Sequence, residues 1–326
     1  MYKRSVFMAM LLVTQLGHAA NQYDCLLQAL QRAKPSDTVA MIRAHCDFEV
    51  IDVSEVQGEG VAEDTAPELL LEAVDNGDRN AFSITPYSRN YILPVTYNNN
   101  PNAMPYHDVS PETDIDHMEV KFQISFQARL AEGLFNKNLD LWGAYTQQSW
   151  WQLYNSDQSS PFRETNYEPE LFFRWQQDNK LLGFTNRMIS FGFNHQSNGR
   201  GGSLSRSWNR LFATAEFDRG NFAIMTRAWW RLPEDEKNDD NPDLTKYMGH
   251  GDVKAAYKWD EQVFSMTLRN NLRSDNKGAV QLDWTFPLSQ RFKGYIQYFN
   301  GYGESLIDYN ESTNRIGIGI LLTDWL

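Results

Sequence analysis

The sequence has little of what several large classes of protein need. Beyond residue 20 it has no run of about 18 apolar residues, so no transmembrane helix is expected after that point. It has 2 cysteines in 326 residues, too few for a disulfide scaffold, and lacks the Cys-x-x-Cys and His/Cys spacings typical of zinc sites. Basic side chains number 30 against 42 acidic ones, for a formal net charge of −12. Phosphate binding needs basic patches, so this balance argues against a nucleic-acid partner.

The first twenty residues have the organisation of a secretory signal. Lys3 and Arg4 form a charged start, residues 6–16 are apolar, and residues 17–20 are mostly small. The sequence therefore predicts a cleaved signal peptide over residues 1–20. The alternative is a short membrane anchor, but the apolar run is too short to span a bilayer comfortably.

An acidic extension is predicted to follow the signal, over residues 21–84. Residues 21–87 carry 13 acidic and 4 basic side chains. Residues 21–46 indicate one or two short helices. Cys25 and Cys46 are an even pair, and in an oxidising compartment they predict a disulfide, with two free thiols as the alternative.

From residue 85 to 326 apolar and polar residues alternate. Between Glu119 and Leu130 every even position is apolar and every odd position is polar, which is typical of a strand with one apolar face. Twelve segments share this pattern, and they lie at 88–97, 119–130, 139–152, 167–176, 184–197, 208–217, 222–232, 245–258, 262–272, 278–286, 291–300 and 314–325.

These segments predict an all-β fold, a 12-stranded antiparallel transmembrane β-barrel, preceded by a short, partly helical periplasmic extension. Strands of about ten residues with one apolar face are typical of such barrels. Tight turns are expected at 218–221 and 259–262, and longer loops at the other end at 153–166, 198–207 and 233–244. The alternative is a soluble β-sandwich, but the polar faces carry too many charged side chains and glutamines for a sandwich core.

Two groups of large side chains are expected to have structural roles. Four tryptophans are expected in the belt at the membrane interface: Trp150, Trp151, Trp229 and Trp230. Seven charged residues are expected to pair inside the barrel and plug its lumen: Arg174, Arg187, Arg210, Arg227, Glu119, Glu170 and Glu216.

Polar residues interrupt the apolar faces near the ends of three strands. His195 and Ser197 follow Phe191 and Phe193 on one face, while Asn209 and Gln147 end the apolar faces of two other strands. Polar groups that face lipid are costly and tend to mark function.

These residue types suggest nucleophilic catalysis. Ser197 would be the nucleophile, His195 its base, and Asn209 would accept a hydrogen bond from the second imidazole nitrogen. Gln147 is expected to hold Asn209. The backbone N–H of Gly199 is expected to stabilise an oxyanion. A site on the outside of a barrel meets only lipid, so the expected substrate is a lipid ester.

Six further motifs stand out within residues 85–326: "YTQQSWWQL" (145–153), "SSPFRETNYEP" (159–169), "FNHQSNGR" (193–200), "SRSWNRL" (205–211), "DDNPDLTKYMG" (239–249) and "GYGESLIDYN" (301–310). Together they resemble outer-membrane phospholipase A over residues 85–326. The resemblance implies hydrolysis of the sn-1 and sn-2 acyl esters of phospholipids and lysophospholipids, dependence on Ca²⁺ and activation by homodimerisation. It implies the same triad of Ser197, His195 and Asn209, with Gln147 in support.

The resemblance also implies calcium ligands. They fall on the backbone carbonyl of Ser159 from one subunit, and on the Arg200 carbonyl and Ser205 hydroxyl from the other. Calcium prefers such hard oxygen ligands. The family's second calcium site uses two aspartates, of which Asp240 matches one, while Gly202 stands at the other position.

Two other functions are compatible with a barrel. A passive porin-like pore would need an open lumen, which an interior crowded with paired charges argues against. A barrel protease would need carboxylates at the extracellular rim, which the aspartates within 233–243 permit, but nothing pairs them with His195.

Overall fold

The computed structural model describes residues 83–324, apart from 108, 136–137, 236, 238 and 290–291. The predicted signal peptide, almost all of the acidic extension and the Cys25–Cys46 disulfide lie outside the described residues and stay predictions.

Twelve of thirteen antiparallel strands close into a barrel, as the sequence predicts. Each strand from β2 to β13 bonds to its neighbours in chain order, β13 pairs with β2, and the short β1 extends the ladder along β3. The strands are β1 (Ile84–Pro86), β2 (Asn90–Asn98), β3 (Met118–Ala131), β4 (Leu139–Trp151), β5 (Phe162–Leu181), β6 (Phe184–Ser197), β7 (Ser207–Arg219), β8 (Phe222–Arg231), β9 (Gly251–Trp259), β10 (Gln262–Asn270), β11 (Gly278–Pro287), β12 (Lys293–Tyr302) and β13 (Ser312–Thr323).

Helical structure is confined to short segments outside the strands. These are α1 (Met104–His107), α2 (Leu244–Met248) and a 3₁₀ turn at Gly202–Leu204. In the described part of the chain, no helix is long and apolar enough to cross a membrane.

The predicted strand at 245–258 is wrong in its first half, because α2 occupies residues 244–248 and β9 begins only at Gly251. Leu244 and Met248 are four residues apart on one face of this helical turn, and both are buried.

The alternation on β3 sorts its side chains as predicted. Glu119, Lys121 and Ser125 point into the barrel and are at most 2 % exposed. Ile124 and Phe126 point outward and are exposed. The barrel therefore has a polar interior and an apolar exterior, as a lipid-embedded barrel needs.

The two ends of the barrel differ. At one end β5–β6, β7–β8 and β9–β10 are joined by two-residue turns at 182–183, 220–221 and 260–261. The opposite end, called here the long-loop end, carries the connections at 99–117, 152–161, 198–206, 232–250, 271–277 and 303–311. The expected loops at 153–166, 198–207 and 233–244 are therefore on one side, although β5 begins earlier than expected, at Phe162.

Paired charges fill the interior near the long-loop end. Glu119 forms ion pairs with Arg163 at 2.6 Å and with Arg315 at 2.7 Å. Glu304 pairs with Lys121 at 3.0 Å and with Arg315 at 2.9 Å. These side chains are almost completely buried, so each charge is compensated by a partner rather than by bulk water.

The predicted pairing of charged residues inside the barrel is confirmed, but several of the arginines bond residues outside the predicted set. Arg227 pairs with Glu170 at 3.0 Å, and both belong to the predicted set. Arg174 instead donates to the side-chain oxygen of Gln127 at 2.9 Å. The other arginines take carboxylates that the sequence analysis did not name: Arg187 pairs with Asp218 and Arg210 with Glu168.

The loop at 303–311 closes the barrel mouth at the long-loop end. Leu306 and Ile307 are buried, and their N–H groups donate to Asn166 and Glu164 of β5, across the mouth from the strands that flank the loop. Beneath this plug lies a polar cavity of about 630 Å³.

The prediction of a belt position is wrong for two of the four tryptophans. Trp150 and Trp229 point inward and are buried at 0 % and 6 % exposure. Trp230 is 59 % exposed on the outside. Successive residues of a strand face opposite sides, so a Trp-Trp pair cannot place both rings in lipid.

The stability of the plug should depend on pH through Glu304. Burial opposes its ionisation, but Arg315 and Lys121 outweigh that effect and lower the pKa of Glu304 to about 2. Because the folded pKa lies below the unfolded value of about 4.5, its contribution is complete above that pH and is lost as the pH falls towards 2. We expect the difference in urea midpoint between wild type and Glu304→Gln to shrink between pH 6 and pH 3. A difference that stays constant with pH would contradict this account.

Candidate active site

The predicted catalytic residues lie on two neighbouring strands at the long-loop end. His195 of β6 is the cross-strand partner of Asn209 of β7, and Ser197 is the partner of Ser207. The imidazole Nδ1 lies 2.9 Å from Asn209 Oδ1. His195, Asn209 and Ser197 are all half-buried, on the same outer face as the exposed Phe193.

Among the described residues, no hydrogen bond joins Ser197 to His195. The two residues are two apart on one strand, so both side chains leave the same face and a rotation about the serine χ1 moves the hydroxyl without moving the backbone. Catalytic hydrogen bonds are often long before substrate binds.

The turn after Ser197 is built by Asn198, which sequence analysis did not single out. Its buried side chain donates to the carbonyl of Leu204 at 2.8 Å and accepts from the N–H groups of Arg200 and Arg206. An asparagine that bonds the backbone two residues ahead is a recognisable turn signal in the sequence.

Gly199 follows in a left-handed conformation, with φ of 65°. A Cβ atom there would lie 3.0 Å from the ring of Tyr167, so both the backbone angle and the space favour glycine. No acceptor in the described chain takes the Gly199 N–H, which leaves this donor available to a ligand.

Gln147 does not support Asn209, which corrects one expectation. It lies on β4, three strands from β7, opposite Tyr167 of β5. Its side chain accepts from the Tyr145 hydroxyl at 3.2 Å and donates to Ser149 at 3.3 Å. Strands are about 4.8 Å apart, so a side chain cannot reach across three of them.

Glu234 takes the place expected for Gln147. Asn209 Nδ2 donates to Glu234 Oε1 at 3.4 Å. The sequence held one signal for Glu234. The even positions of residues 222–232 face outward on β8, and the same alternation continues to residue 234.

Ser205 and Asp240 come together at the rim, where the Ser205 hydroxyl donates to Asp240 Oδ2 at 2.5 Å. Within the described residues no group of three or more His, Cys, Asp or Glu side chains is placed to hold a metal. A calcium site here would therefore depend on hydroxyl and carbonyl oxygens with a single carboxylate. Calcium accepts such oxygen donors, so the residues fit the ion.

The other two expected calcium ligands lie in neighbouring loops. Ser159 has a left-handed φ of 59° in the loop between β4 and β5. The Arg200 guanidinium donates to the carbonyl of Phe162 at 3.1 Å, which ties the loop after β6 to the start of β5. Within the described chain, Ser205 and Asp240 are the only two of the four that contact each other.

The fold and the site together define a class: a closed transmembrane β-barrel that carries a serine, a histidine and an asparagine side by side on its apolar outer surface. A family model described as phospholipase A1 matches residues 69–322. The phospholipase A1 of Escherichia coli K12 is 39 % identical over 277 residues, which are 85 % of this chain and 90 % of that protein. That of Klebsiella pneumoniae is 40 % identical over 279 residues, with 85 % and 92 % covered. The chain belongs to the phospholipase A1 family.

Comparison with solved structures supports the same family. Outer membrane phospholipase A from Escherichia coli matches with a TM-score of 0.73 at 37 % identity, covering 79 % of this chain and 98 % of that one. The Salmonella typhi enzyme, solved as a dimer with bound calcium, matches with a TM-score of 0.73 at 38 % identity over 78 % and 98 % of the two chains. The fold and these relatives indicate an outer-membrane location.

Proposed function

We propose that this chain is a calcium-dependent outer-membrane phospholipase that hydrolyses the sn-1 and sn-2 acyl esters of phospholipids and lysophospholipids. The observation that carries the proposal is the 2.9 Å contact between His195 and Asn209 beside Ser197, on the apolar outer face of a closed barrel. A further structure of the Escherichia coli relative is of an active-site mutant in which an asparagine is replaced by alanine. That relative therefore has an asparagine in its active site, which supports the role of Asn209.

The chemistry follows from the arrangement of the three side chains. Asn209 Oδ1 holds the Nδ1–H of His195, so Nε2 is free to take the proton from Ser197. The serine oxygen attacks the ester carbonyl, and the alcohol or lysophospholipid leaves with the proton from His195. Water, activated by the same imidazole, then releases the fatty acid from the acyl-enzyme.

The oxyanion of the tetrahedral intermediate needs donors, and the N–H of Gly199 is the available one at the turn. When bound, calcium supplies positive charge near this turn. The Ser205 hydroxyl and the Arg200 carbonyl would hold it, together with the carbonyl oxygen of Ser159 from a second subunit. Asp240, which accepts from the Ser205 hydroxyl, would belong to the family's second calcium site. The bound calcium and dimer of the Salmonella typhi relative support a homodimer as the active form. Export by the predicted signal peptide is part of the same proposal.

A passive pore is the alternative, and the plug at 303–311 argues against it. The buried Leu306 and Ile307 close the mouth above the cavity. Conductance across planar bilayers measures directly whether the lumen is open. An open channel with no fatty-acid release from a folded dimer would favour the pore.

Calcium should control the activity. We expect fatty-acid release from phospholipid in detergent micelles with calcium and none with chelator. Ser205→Ala should raise the calcium concentration for half-maximal activity by about tenfold, since one oxygen ligand is lost. Ser203→Ala, in the same exposed loop, is the matched control. Equal release in calcium and chelator would exclude the calcium requirement, and cross-linking with and without calcium tests the dimer.

A further inference from the structure

We infer that Glu234 is a positioning residue for the serine site and acts through Asn209. The inference rests on the proposed function. The geometry shows Asn209 between two partners, with Oδ1 at 2.9 Å from His195 Nδ1 and Nδ2 at 3.4 Å from Glu234 Oε1.

Glu234 selects one of the two orientations of the Asn209 amide. An amide has a donor end and an acceptor end, whereas an ionised carboxylate only accepts. Glu234 therefore keeps Nδ2 on its own side and Oδ1 towards the imidazole. The flipped amide would present N–H groups to His195, and would favour the tautomer whose Nε2 carries the proton and cannot take one from Ser197.

The backbone holds Glu234 beside Asn209. The N–H of Leu232 donates to the carbonyl of Asn209 at 2.8 Å, which extends the β7–β8 ladder past the end of β8. Arg231 Nη1 donates to the carbonyl of Asn241 at 2.9 Å, so the return of the same loop is tied to the end of the strand. Two residues beyond Leu232, the side chain of Glu234 leaves the same outer face as Asn209.

Glu234 also supplies a charge that the triad lacks. With asparagine as its third member, the triad has no carboxylate in contact with the imidazole. The carboxylate of Glu234 sits on the far side of the amide. Its negative charge favours the imidazolium that forms when His195 takes the proton, and a fixed group aimed at developing charge acts on the transition state.

Glu234→Ala is expected to lower kcat by about three- to tenfold, the effect of one net hydrogen bond. The KM and the calcium requirement should stay unchanged, because the proposed role of Glu234 is exerted on Asn209 and not on the substrate or the ion. Glu234→Gln retains an acceptor for Asn209 Nδ2 and should recover part of the loss. Asp235→Ala is the matched control, since it removes a neighbouring exposed carboxylate that bonds only the N–H of Lys237 among the described residues.

The decisive measurement repeats Glu234→Ala in the Asn209→Ala background. A residue that acts through Asn209 should have no further effect there, whereas a structural role in the loop would persist. Wild-type kcat in Glu234→Ala, or an equal loss in both backgrounds, would overturn the inference and leave the phospholipase function standing. If wild type releases no fatty acid with calcium, the proposed function fails first.

Discussion

Replacing Ser197 by alanine is expected to lower fatty-acid release by about 10⁴-fold or more, as the loss of a catalytic serine does in other triads. The hydroxyl is the nucleophile, and no other atom of the triad can form the acyl-enzyme. The measurement is fatty-acid release from phospholipid micelles in saturating calcium. Circular dichroism and the urea midpoint of the variant should equal those of wild type, because the half-buried hydroxyl has no described hydrogen-bond partner.

Ser207→Ala is the sharpest control for this experiment. Ser207 is the direct cross-strand partner of Ser197 on the same face and is equally half-buried. We expect its loss to leave the activity nearly unchanged. Loss of activity in Ser207→Ala with retention in Ser197→Ala would move the nucleophile to β7.

Glu119→Gln is expected to destabilise the barrel by about 3–5 kcal/mol, because it leaves buried positive charge uncompensated. Glu119 contacts Arg163 and Arg315, whose side chains are 2 % exposed. The free energy of unfolding in urea, measured in detergent or lipid vesicles, gives the effect.

Asp178→Asn is the matched comparison for Glu119→Gln. It also removes one carboxylate from an arginine, Arg187, at 3.1 Å, but the Asp178 side chain is 85 % exposed. Exposed ion pairs contribute less than about 1 kcal/mol to the free energy of unfolding. Equal losses in Glu119→Gln and Asp178→Asn would show that burial does not set the strength of these pairs.

The barrel was predictable because lipid outside and polar groups inside impose a period of two along every strand. The strand from Glu119 to Leu130 shows this alternation without interruption, and the structure confirms its two faces. By the same rule Trp150 and Trp229 fall on the inward-facing positions of their strands, so the belt prediction was wrong for these two. The helix α2 was missed because a single helical turn that buries Leu244 and Met248 is too short to produce a helical period.

The candidate site was predictable where the chemistry is local. His195 and Ser197 are on one strand, and the end of an apolar face identified Asn209. The expected contact of Gln147 with Asn209 was wrong although the predicted segments already placed two strands between theirs. Glu234 was missed because it lies beyond the end of β8 and outside the predicted strand segment at 222–232.

Two of the interior ion pairs join residues that lie far apart in the chain. Arg89 bonds Asp283, 194 positions later in the chain, and Lys121 bonds Glu304, 183 positions later. No consecutive half of the barrel contains both partners of these pairs. Contacts between such distant positions form only after a large loss of chain entropy. The charges of Arg89 and Lys121 therefore lack these partners until β11 to β13 have formed, so that their neutralisation accompanies closure of the ring.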